Sequence, residues 1–435
     1  MRTAKSARGT LPGLGACLLA CALTAGCGSG AAVPAGSGFG PAVTLRIGVY
    51  GTPGFRQAGL YAEYGKLHPN ITIVEDDTAQ QGSYWQALQG NLAGGHGLDD
   101  IQAIPVSDIS GIIRSQSSGF VPLNPFGGSS LQNDWLPWVW QEATNPAGQT
   151  FALGADIGPM AVCYRPSLLR AAGLPADRAT LAKDWSTWQG YLSSGARFRA
   201  HAPRGTAFLD SVTSLYNAMV SQAREQYYSA AGSLVLAGNP VISTAWNEAV
   251  QAASAGLSAR LSPLSAAWNT GLASGAFATL PCSAGMLGDI KDLSGAAGSG
   301  QWDVTTAPGG TGNTGGFYLA VTSAGKHQQD AFQLIQFLTS QYAGTTLFSK
   351  EGAFPSNSLA VNALYGATNA YFSNAPVGAI FGQSADRAPT PIFGPAADAV
   401  GQDVDNALAQ VESQGRSPAA AWQAAVAQAA ASAAG

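Results

Sequence analysis

Apolar and polar residues follow two rhythms along the first part of the chain. A period of two, typical of half-buried strands, recurs in short runs that end at Gly or Pro, and a period near four, typical of helices, fills the segments between them. The predicted elements are a strand over 43–51, a helix over 56–70, a strand over 71–76, a helix over 83–95 and a strand over 101–106. This alternation predicts a parallel sheet with helices packed on it.

A sheet of this kind binds ligands at the carboxyl ends of its strands. In this chain those ends are expected around Gly51 and around Ser107 and Asp108. These loops are therefore the first candidates for a binding site.

A second region that carries a sheet is predicted after residue 151. Its strands are expected over 159–164, 276–282, 301–308 and 317–323, with a glycine-rich segment at 309–316 and helices over 184–260, over 328–340 and at the end of the chain. Gly and Pro residues interrupt the alternation at several points between the two regions. We therefore expect two lobes, with the chain passing between them more than once.

The first residues have the pattern of a secretion signal. Three basic residues precede an apolar run over 11–26 that is too short to span a bilayer. The run ends at a site that resembles the cleavage site of bacterial lipoproteins, which predicts a signal peptide over 1–26 and a lipid on Cys27. Cys21 is the alternative, but a flexible tether over 27–42, rich in Gly, Ser and Ala, follows Cys27. The predicted location is the extracytoplasmic face of the cell membrane.

Charge and composition exclude two classes of protein. The chain has 21 Lys and Arg against 25 Asp and Glu, and removal of residues 1–26 takes away three of the basic residues, which leaves a net charge of −7. A chain this acidic lacks the basic surface that binds nucleic acid. After the signal, no run approaches the ~20 apolar residues of a membrane helix.

No catalytic motif stands out. The four His residues are scattered without the spacing of a metal site, and no G-x-S-x-G motif is present. A glycosidase needs two carboxylates on either side of the scissile bond, and acidic runs such as 75–77 show no such pairing. We therefore expect no enzyme activity, no cofactor and no metal site.

Seven segments together resemble the extracellular solute-binding proteins (family 1 type) of carbohydrate ABC importers: 43–55, 61–73, 84–95, 154–175, 268–289, 307–321 and 336–357. The resemblance implies an α/β, two-lobed periplasmic-binding-protein-like fold (type II), with a ligand cleft between the lobes and three interlobe crossings. It also implies a monomer that captures a sugar or small oligosaccharide by lobe closure. The partners would be that carbohydrate and the transmembrane subunits of an ABC permease, with the lipid anchor as the only contact with the membrane.

The resemblance also implies lobe boundaries and site residues. Lobe 1 would comprise 43–151 and 309–348, lobe 2 would comprise 157–305 and 357–435, and the hinge would lie at 152–156, 306–308 and 349–356. The candidate ligand-binding residues are Tyr50, Phe55, Ser107, Asp108, Asp156, Ser283, Met286, Asn313 and Phe393.

Several of these residues have a structural alternative. A sugar offers an apolar face to aromatic rings and hydroxyls to planar polar groups. Asp156 could accept hydrogen bonds from such hydroxyls or could hold the hinge. The segment around Asn313 could bind a ligand through its backbone amides or could be a flexible turn. Most tryptophans, among them Trp135, Trp138 and Trp268, are expected to pack in cores.

The sequence departs from its relatives at two positions. Many sugar binders of this type carry an aromatic residue in each of two segments, where this chain has Gly285 and Thr314. Two stacking platforms are therefore expected to be missing, which favours a smaller sugar, a modified sugar or a ligand held mainly by hydrogen bonds.

Two cysteines remain once the signal and the lipidated residue are set aside. Cys163 and Cys282 fall in strands that the resemblance places in one lobe, and disulfides persist outside the cytoplasm. A structural disulfide is favoured over two buried thiols, and a reactive thiolate, which would need a neighbouring base, is the least favoured alternative.

Three other functions stay open at this stage. The same fold could bind a polyol, a phosphate ester or a peptide. The protein could be a secreted glycosidase, or it could present its ligand to a sensor instead of a permease.

Overall fold

The computed structural model describes residues 40–394 and 396–433. The predicted signal peptide, Cys27 and most of the tether lie outside the described residues, so these remain predictions. None of the helices within the described ranges is long and apolar enough to cross a membrane.

The described part of the chain contains nine strands. They are β1 (Val43–Tyr50), β2 (Ile71–Thr78), β3 (Ile101–Pro105), β4 (Ala152–Tyr164), β5 (Ala207–Leu209), β6 (Phe277–Ser283), β7 (Asp303–Thr306), β8 (Asn313–Val321) and β9 (Phe354–Pro355).

The helices, likewise counted over the described residues, number seventeen. They are α1 (Leu60–Leu67), α2 (Gln81–Gly94), α3 (Ile109–Ser115), α4 (Pro137–Glu142), α5 (Pro166–Ala171), α6 (Arg178–Asp184), α7 (Trp188–His201), α8 (Val212–Val220), α9 (Pro240–Ser254), α10 (Ala266–Ser274), α11 (Met286–Ser294), α12 (Gln328–Leu338), α13 (Gln341–Glu351), α14 (Ser358–Leu364), α15 (Val377–Asp386), α16 (Ala397–Gln414) and α17 (Pro418–Ser432).

The first sheet follows the predicted rhythm. β1 pairs with β2 and with β3 in parallel, and the alternating apolar residues Leu45, Ile47 and Val49 of β1 are fully buried. β8 then joins β3 in the antiparallel direction, and β4 pairs with β8. The strand order β2-β1-β3-β8-β4 brings the carboxyl ends of β1 and β3 to the same edge as the amino end of β8.

β4 belongs to two parts of the sheet. The first half of β4 pairs with β8. In the second half, Met160–Tyr164 pairs with β6 on one side, and Ala161–Tyr164 pairs with β7 on the other. The register against β8 shifts between Gly154 and Asp156 and again between Ile157 and Pro159. Shifts of this kind bend a strand and redirect its side chains. The strand therefore changes direction on both sides of Asp156 and Ile157.

The second half of β4 separates two hydrophobic cores. Ala161 and Cys163 point into a core that continues under the first sheet, whereas Val162 and Tyr164 point into a core formed with α7, α8, α9, α16 and α17. Successive side chains of a strand point to opposite faces, so one strand serves both cores.

The predicted disulfide is present. Cys163 of β4 and Cys282 of β6 are joined, with their Cα atoms 5.8 Å apart. Both residues are fully buried, and the bond links positions 119 residues apart in sequence. The alternatives of buried or reactive thiols are therefore not supported.

The tryptophans pack as predicted. Trp135, Trp138 and Trp268 are all buried. The Trp135 indole donates to the backbone oxygen of Gly154 at 2.9 Å, and the Trp138 indole donates to the backbone oxygen of Ala385 at 3.1 Å. These bonds fix the residue segment just before α4 to β4, and α4 itself to α15.

Candidate functional site

A group of aromatic and acidic side chains gathers where β1, β3, β4 and β8 meet. The ring of Tyr50, at the end of β1, lies 5.3 Å from the ring of Tyr84 and 6.1 Å from that of Phe317. Burial raises the pKa of Tyr50 well above its ordinary value, and the charge of Asp156 and, more weakly, that of Asp108 raise it further. The charges of two predicted residues, Asp108 and Asp156, therefore act on the hydroxyl of a third, Tyr50.

Asp156 lies between the two register shifts of β4. Its Oδ1 accepts a hydrogen bond from the backbone nitrogen of Phe317 at 3.0 Å. Burial raises the pKa of Asp156 to about 7, and the hydrogen bond from Phe317 opposes that rise. Asp156 as a residue is partly exposed, and one of its carboxylate oxygens holds β8.

Asp108 follows β3 and is 8% exposed. The Ser107 hydroxyl donates to its Oδ2 at 2.9 Å. Burial raises the pKa of Asp108 to about 7, and the negative charge of Asp398 contributes to the rise. Asp398, in the first turn of α16, thus faces the end of β3 although 290 residues separate them in sequence.

The segment before α16 contacts α3, the helix that follows β3. The backbone oxygen of Phe393 accepts a hydrogen bond from Arg114 Nη2 at 2.7 Å and one from Ser110 Oγ at 3.5 Å. Gly394 lies against Tyr228, so closely that a Cβ there would be 2.2 Å from the ring. The Phe393 ring remains partly exposed next to both cores.

The glycine-rich segment is held by side chains. Gln222 Nε2 donates to the backbone oxygens of Pro308 at 2.5 Å and Thr311 at 2.8 Å, and its Oε1 accepts from the Trp188 indole at 2.9 Å. Asn313 begins β8, and its Oδ1 accepts from the backbone nitrogen of Gly158 at 2.7 Å. The expected glycine turn is therefore shorter than 309–316, and the Asn313 carbonyl serves the β4–β8 pairing.

The prediction for Phe55 needs correction. Its ring is completely buried, 6.0 Å from that of Phe317 and 6.1 Å from that of Tyr61. The Gly/Pro turn after β1 folds this residue inward, so it supports Phe317 from the core and does not face a ligand.

Ser283 and Met286 lie at the end of β6 and the start of α11 and are partly exposed. Within the described residues, no hydrogen bond or ring contact joins them to Tyr50, Asp108 or Asp156. The structure thus joins one part of the predicted set by direct contacts that do not include these two residues, which remain predictions.

Sequence reasoning missed three residues of this group. Phe317 had been assigned only to a strand, although it follows the glycine-rich segment that was singled out. Tyr84, on α2, donates to the backbone oxygen of Ala103 at 2.8 Å and so sits beneath the site. The sequence does not mark Asp398 as a site residue, because acidic residues are common in the first turn of a helix. Only the tertiary fold brings it to β3.

The sequence and the fold were compared with those of known proteins to find the family of this chain. A family model described as bacterial extracellular solute-binding protein matches residues 59–374. The crystal structure of an extracellular solute-binding protein of family 1 is 37% identical, with a TM-score of 0.82 over 90% of this chain and 100% of that one. This chain belongs to the bacterial extracellular solute-binding proteins. Among curated proteins, no sequence match was found.

More distant solved structures share the fold of the family. The galacto-N-biose/lacto-N-biose I-binding protein of an ABC transporter of Bifidobacterium longum, in complex with lacto-N-biose, is 15% identical, with a TM-score of 0.74 over 90% of this chain and 97% of that one. An ABC transporter associated binding protein of B. animalis subsp. lactis, in complex with β-1,6-galactobiose, is 20% identical, with a TM-score of 0.70 over 88% and 96%. The expected two-lobed α/β fold of the solute-binding proteins is therefore confirmed.

Gly285 and Thr314 are the two positions at which an aromatic ring was expected. A Cβ atom placed on Gly285, just before α11, would meet no other atom within 4 Å. Thr314, the other position at which a ring was expected, donates its hydroxyl to Met160 Sδ at 3.2 Å. The rings of Tyr50 on β1 and Phe317 on β8, both partly exposed, lie 6.1 Å apart.

Proposed function

We propose that this protein is the substrate-binding component of an ABC importer, which captures a sugar or small oligosaccharide between its lobes and delivers it to a permease. The Tyr50–Phe317 ring pair flanked by Asp108 and Asp156 carries the proposal. Aromatic rings pack against the apolar faces of sugars, and carboxylates accept hydrogen bonds from their hydroxyls. The sugars bound by proteins of the same fold support the choice of ligand class.

We propose the lobe boundaries that the sequence predicted. The bend of β4 at Asp156 and the contact of β9 with Asp156 and Ile157 support a hinge there. Capture would proceed by population shift, because a ligand that contacts both lobes binds the closed form more tightly than the open one.

We also propose roles for the remaining predicted residues. Ser283, Met286 and Phe393 would meet the ligand from the second lobe, and the open space at Gly285 favours a short sugar or one held by hydrogen bonds. A lipid on Cys27 would keep the monomeric protein at the extracytoplasmic face of the membrane, where an importer needs it. We further propose that binding leaves the sugar intact.

A thermal-shift screen of residues 28–435 tests the ligand class. The panel contains mono- and oligosaccharides, polyols, phosphate esters and peptides. A ligand present at about 100 times its Kd stabilises the native state by roughly 2.7 kcal/mol, which is readily measured as a higher Tm. A shift with at least one sugar supports the proposal. A shift with another solute class alone, or release of shorter products from an oligosaccharide, would overturn it.

A further inference from the structure

Two polar side chains on α2 and α3 contact the segment that leads into α16. Arg114 Nη2, on α3, donates to the backbone oxygen of Phe393 at 2.7 Å, and Gln81 Nε2, on α2, donates to Asp398 Oδ2 at 3.3 Å. By the proposed boundaries, α2 and α3 belong to lobe 1, whereas Phe393 and Asp398 belong to lobe 2. We call these four residues the interlobe clamp.

The clamp lies on the side of the molecule that carries the candidate site. α2 and α3 follow the carboxyl ends of β2 and β3, the ends at which a sheet of this kind binds ligands. Asp108, a site residue, directly precedes α3. Ser110 Oγ, about one helical turn from Arg114, donates to the same oxygen of Phe393 at 3.5 Å. Opening of the cleft on this side must therefore lengthen the clamp contacts.

On the side of lobe 2, the clamp is anchored by close backbone packing. The backbone nitrogen of Ile392 donates to the backbone oxygen of Arg224 at 2.7 Å. Gly394 lies so close to Tyr228 that a Cβ there would be 2.2 Å from the ring. Phe393 stands between these two anchored residues, so its carbonyl moves with lobe 2.

On the side of lobe 1, a buried helix carries an exposed cation. Ile109, Ile112 and Ile113 fix α3 in the first core, whereas Arg114 is exposed. None of the ion pairs among the described residues includes Arg114, and its guanidinium donates to the Phe393 carbonyl instead. Because water can replace an exposed hydrogen bond, the clamp can break without leaving a buried polar group unpaired.

We propose that Arg114 is a positioning residue, which favours the closed form by holding the backbone of Phe393 across the cleft. The bond exists only while the lobes are together, so it stabilises the closed form alone. A ligand that needs the closed form then binds more tightly, because its apparent Kd falls as the closed fraction rises. The inference rests on the two-lobed assignment of the proposed function but does not require that the ligand be a sugar.

Distance measurement between spin labels in ligand-free residues 28–435 tests the clamp. Gln89→Cys on α2 and Gln251→Cys on α9 place the labels at exposed positions, one on each proposed lobe. In this labelled background, Arg114→Met keeps an apolar stem and removes the donors. It should lower the ratio of short to long distances roughly fivefold, the effect of one lost hydrogen bond. An unchanged ratio would overturn the proposal.

Two further variants separate the hydrogen bond from a general disturbance of α3. Arg114→Lys retains one charged donor and should restore most of the unsubstituted ratio, and a ratio as low as that of Arg114→Met would count against the bond. Gln81→Met removes the other clamp donor and should lower the ratio in the same direction. This variant keeps the test decisive if Arg114→Met fails to fold.

Arg416→Met is the matched control. Arg416 is also exposed, but it donates to Gln410 within the same lobe, so its loss should leave the ratio of distances unchanged. Equal losses in Arg416→Met and Arg114→Met would refute the clamp. A clamp response without a thermal shift by any sugar would refute the sugar assignment alone, and a sugar shift with unchanged distances would refute the clamp alone.

Discussion

Burial raises the pKa of several carboxyl groups in this protein. Burial raises the pKa of Asp156, Asp210 and Asp405 to about 7 and that of Glu142 to about 8. Glu142 is 5% exposed, and the Tyr318 hydroxyl donates to its Oε2 at 2.6 Å, while its Oε1 has no hydrogen-bond partner among the residues that the structure describes. None of these shifts could be foreseen from sequence, because each depends on which helix or strand covers the residue.

Glu142 makes stability depend on pH in a defined direction. Its pKa is about 8 in the folded protein and ~4.3 in an unfolded chain, so the folded state binds the additional proton between these values. Stability is therefore highest below about pH 4 for this group and falls as the pH rises to about 8. Glu142→Gln should reduce the slope of unfolding free energy against pH by up to about 1.4 kcal/mol per pH unit in that window.

Urea unfolding between pH 5 and pH 8 measures this slope. Glu63→Gln, which changes an exposed glutamate on α1, is the matched control and should keep the wild-type slope. An equal slope in the wild type and in Glu142→Gln would show that Glu142 does not hold its proton in the folded state.

At the level of secondary structure, the strands of the first sheet could be predicted from sequence periodicity, whereas the first half of β4 could not. β1 alternates cleanly in sequence, and β1, β2 and β3 form as expected. The first half of β4 contains Gly154, Asp156 and Gly158, residue types that are uncommon in strands, so only its second half was predicted. Tertiary pairing with β8 and β9 overrides that local preference. Phe55 was predicted to line the site because it lies just after β1. The turn that follows β1 instead buries its ring.

Close approach of β4 and β8 requires glycine at one position. Gly316 has φ 118°, and a Cβ there would lie 2.4 Å from the backbone oxygen of Asp156. We expect Gly316→Ala to lower the free energy of unfolding by roughly 2–4 kcal/mol, because the backbone of one strand must move.

Gly315 offers the neighbouring control for this prediction. A Cβ on Gly315 meets no atom within 4 Å, and its φ is not in the left-handed region. Gly315→Ala should therefore unfold at nearly the wild-type urea concentration. Similar midpoints for the two variants would contradict the tight β4–β8 contact.

At the scale of the whole molecule, the fold joins parts of the site that sequence separates widely. The family resemblance predicted two lobes, and Tyr50, Asp108 and Asp156 do gather at one edge. Asp398 and Phe317 complete this group only through the return of the chain in β8 and α16. A period of two or four along the chain contains no information on such long-range neighbours, which explains why they were missed.

Under the proposed function, a sugar binds against the Tyr50–Phe317 pair. Phe317→Leu keeps an apolar side chain but removes the flat ring, and Tyr342→Leu removes an exposed ring on α13, where Tyr342 is 54% exposed. Calorimetric titration with the sugar that gives the largest thermal shift compares the two variants with the wild type. We expect Phe317→Leu to weaken binding roughly tenfold, the loss of about 1.4 kcal/mol of ring contact, and Tyr342→Leu to leave Kd unchanged. Equal affinities of the wild type and Phe317→Leu would contradict the account.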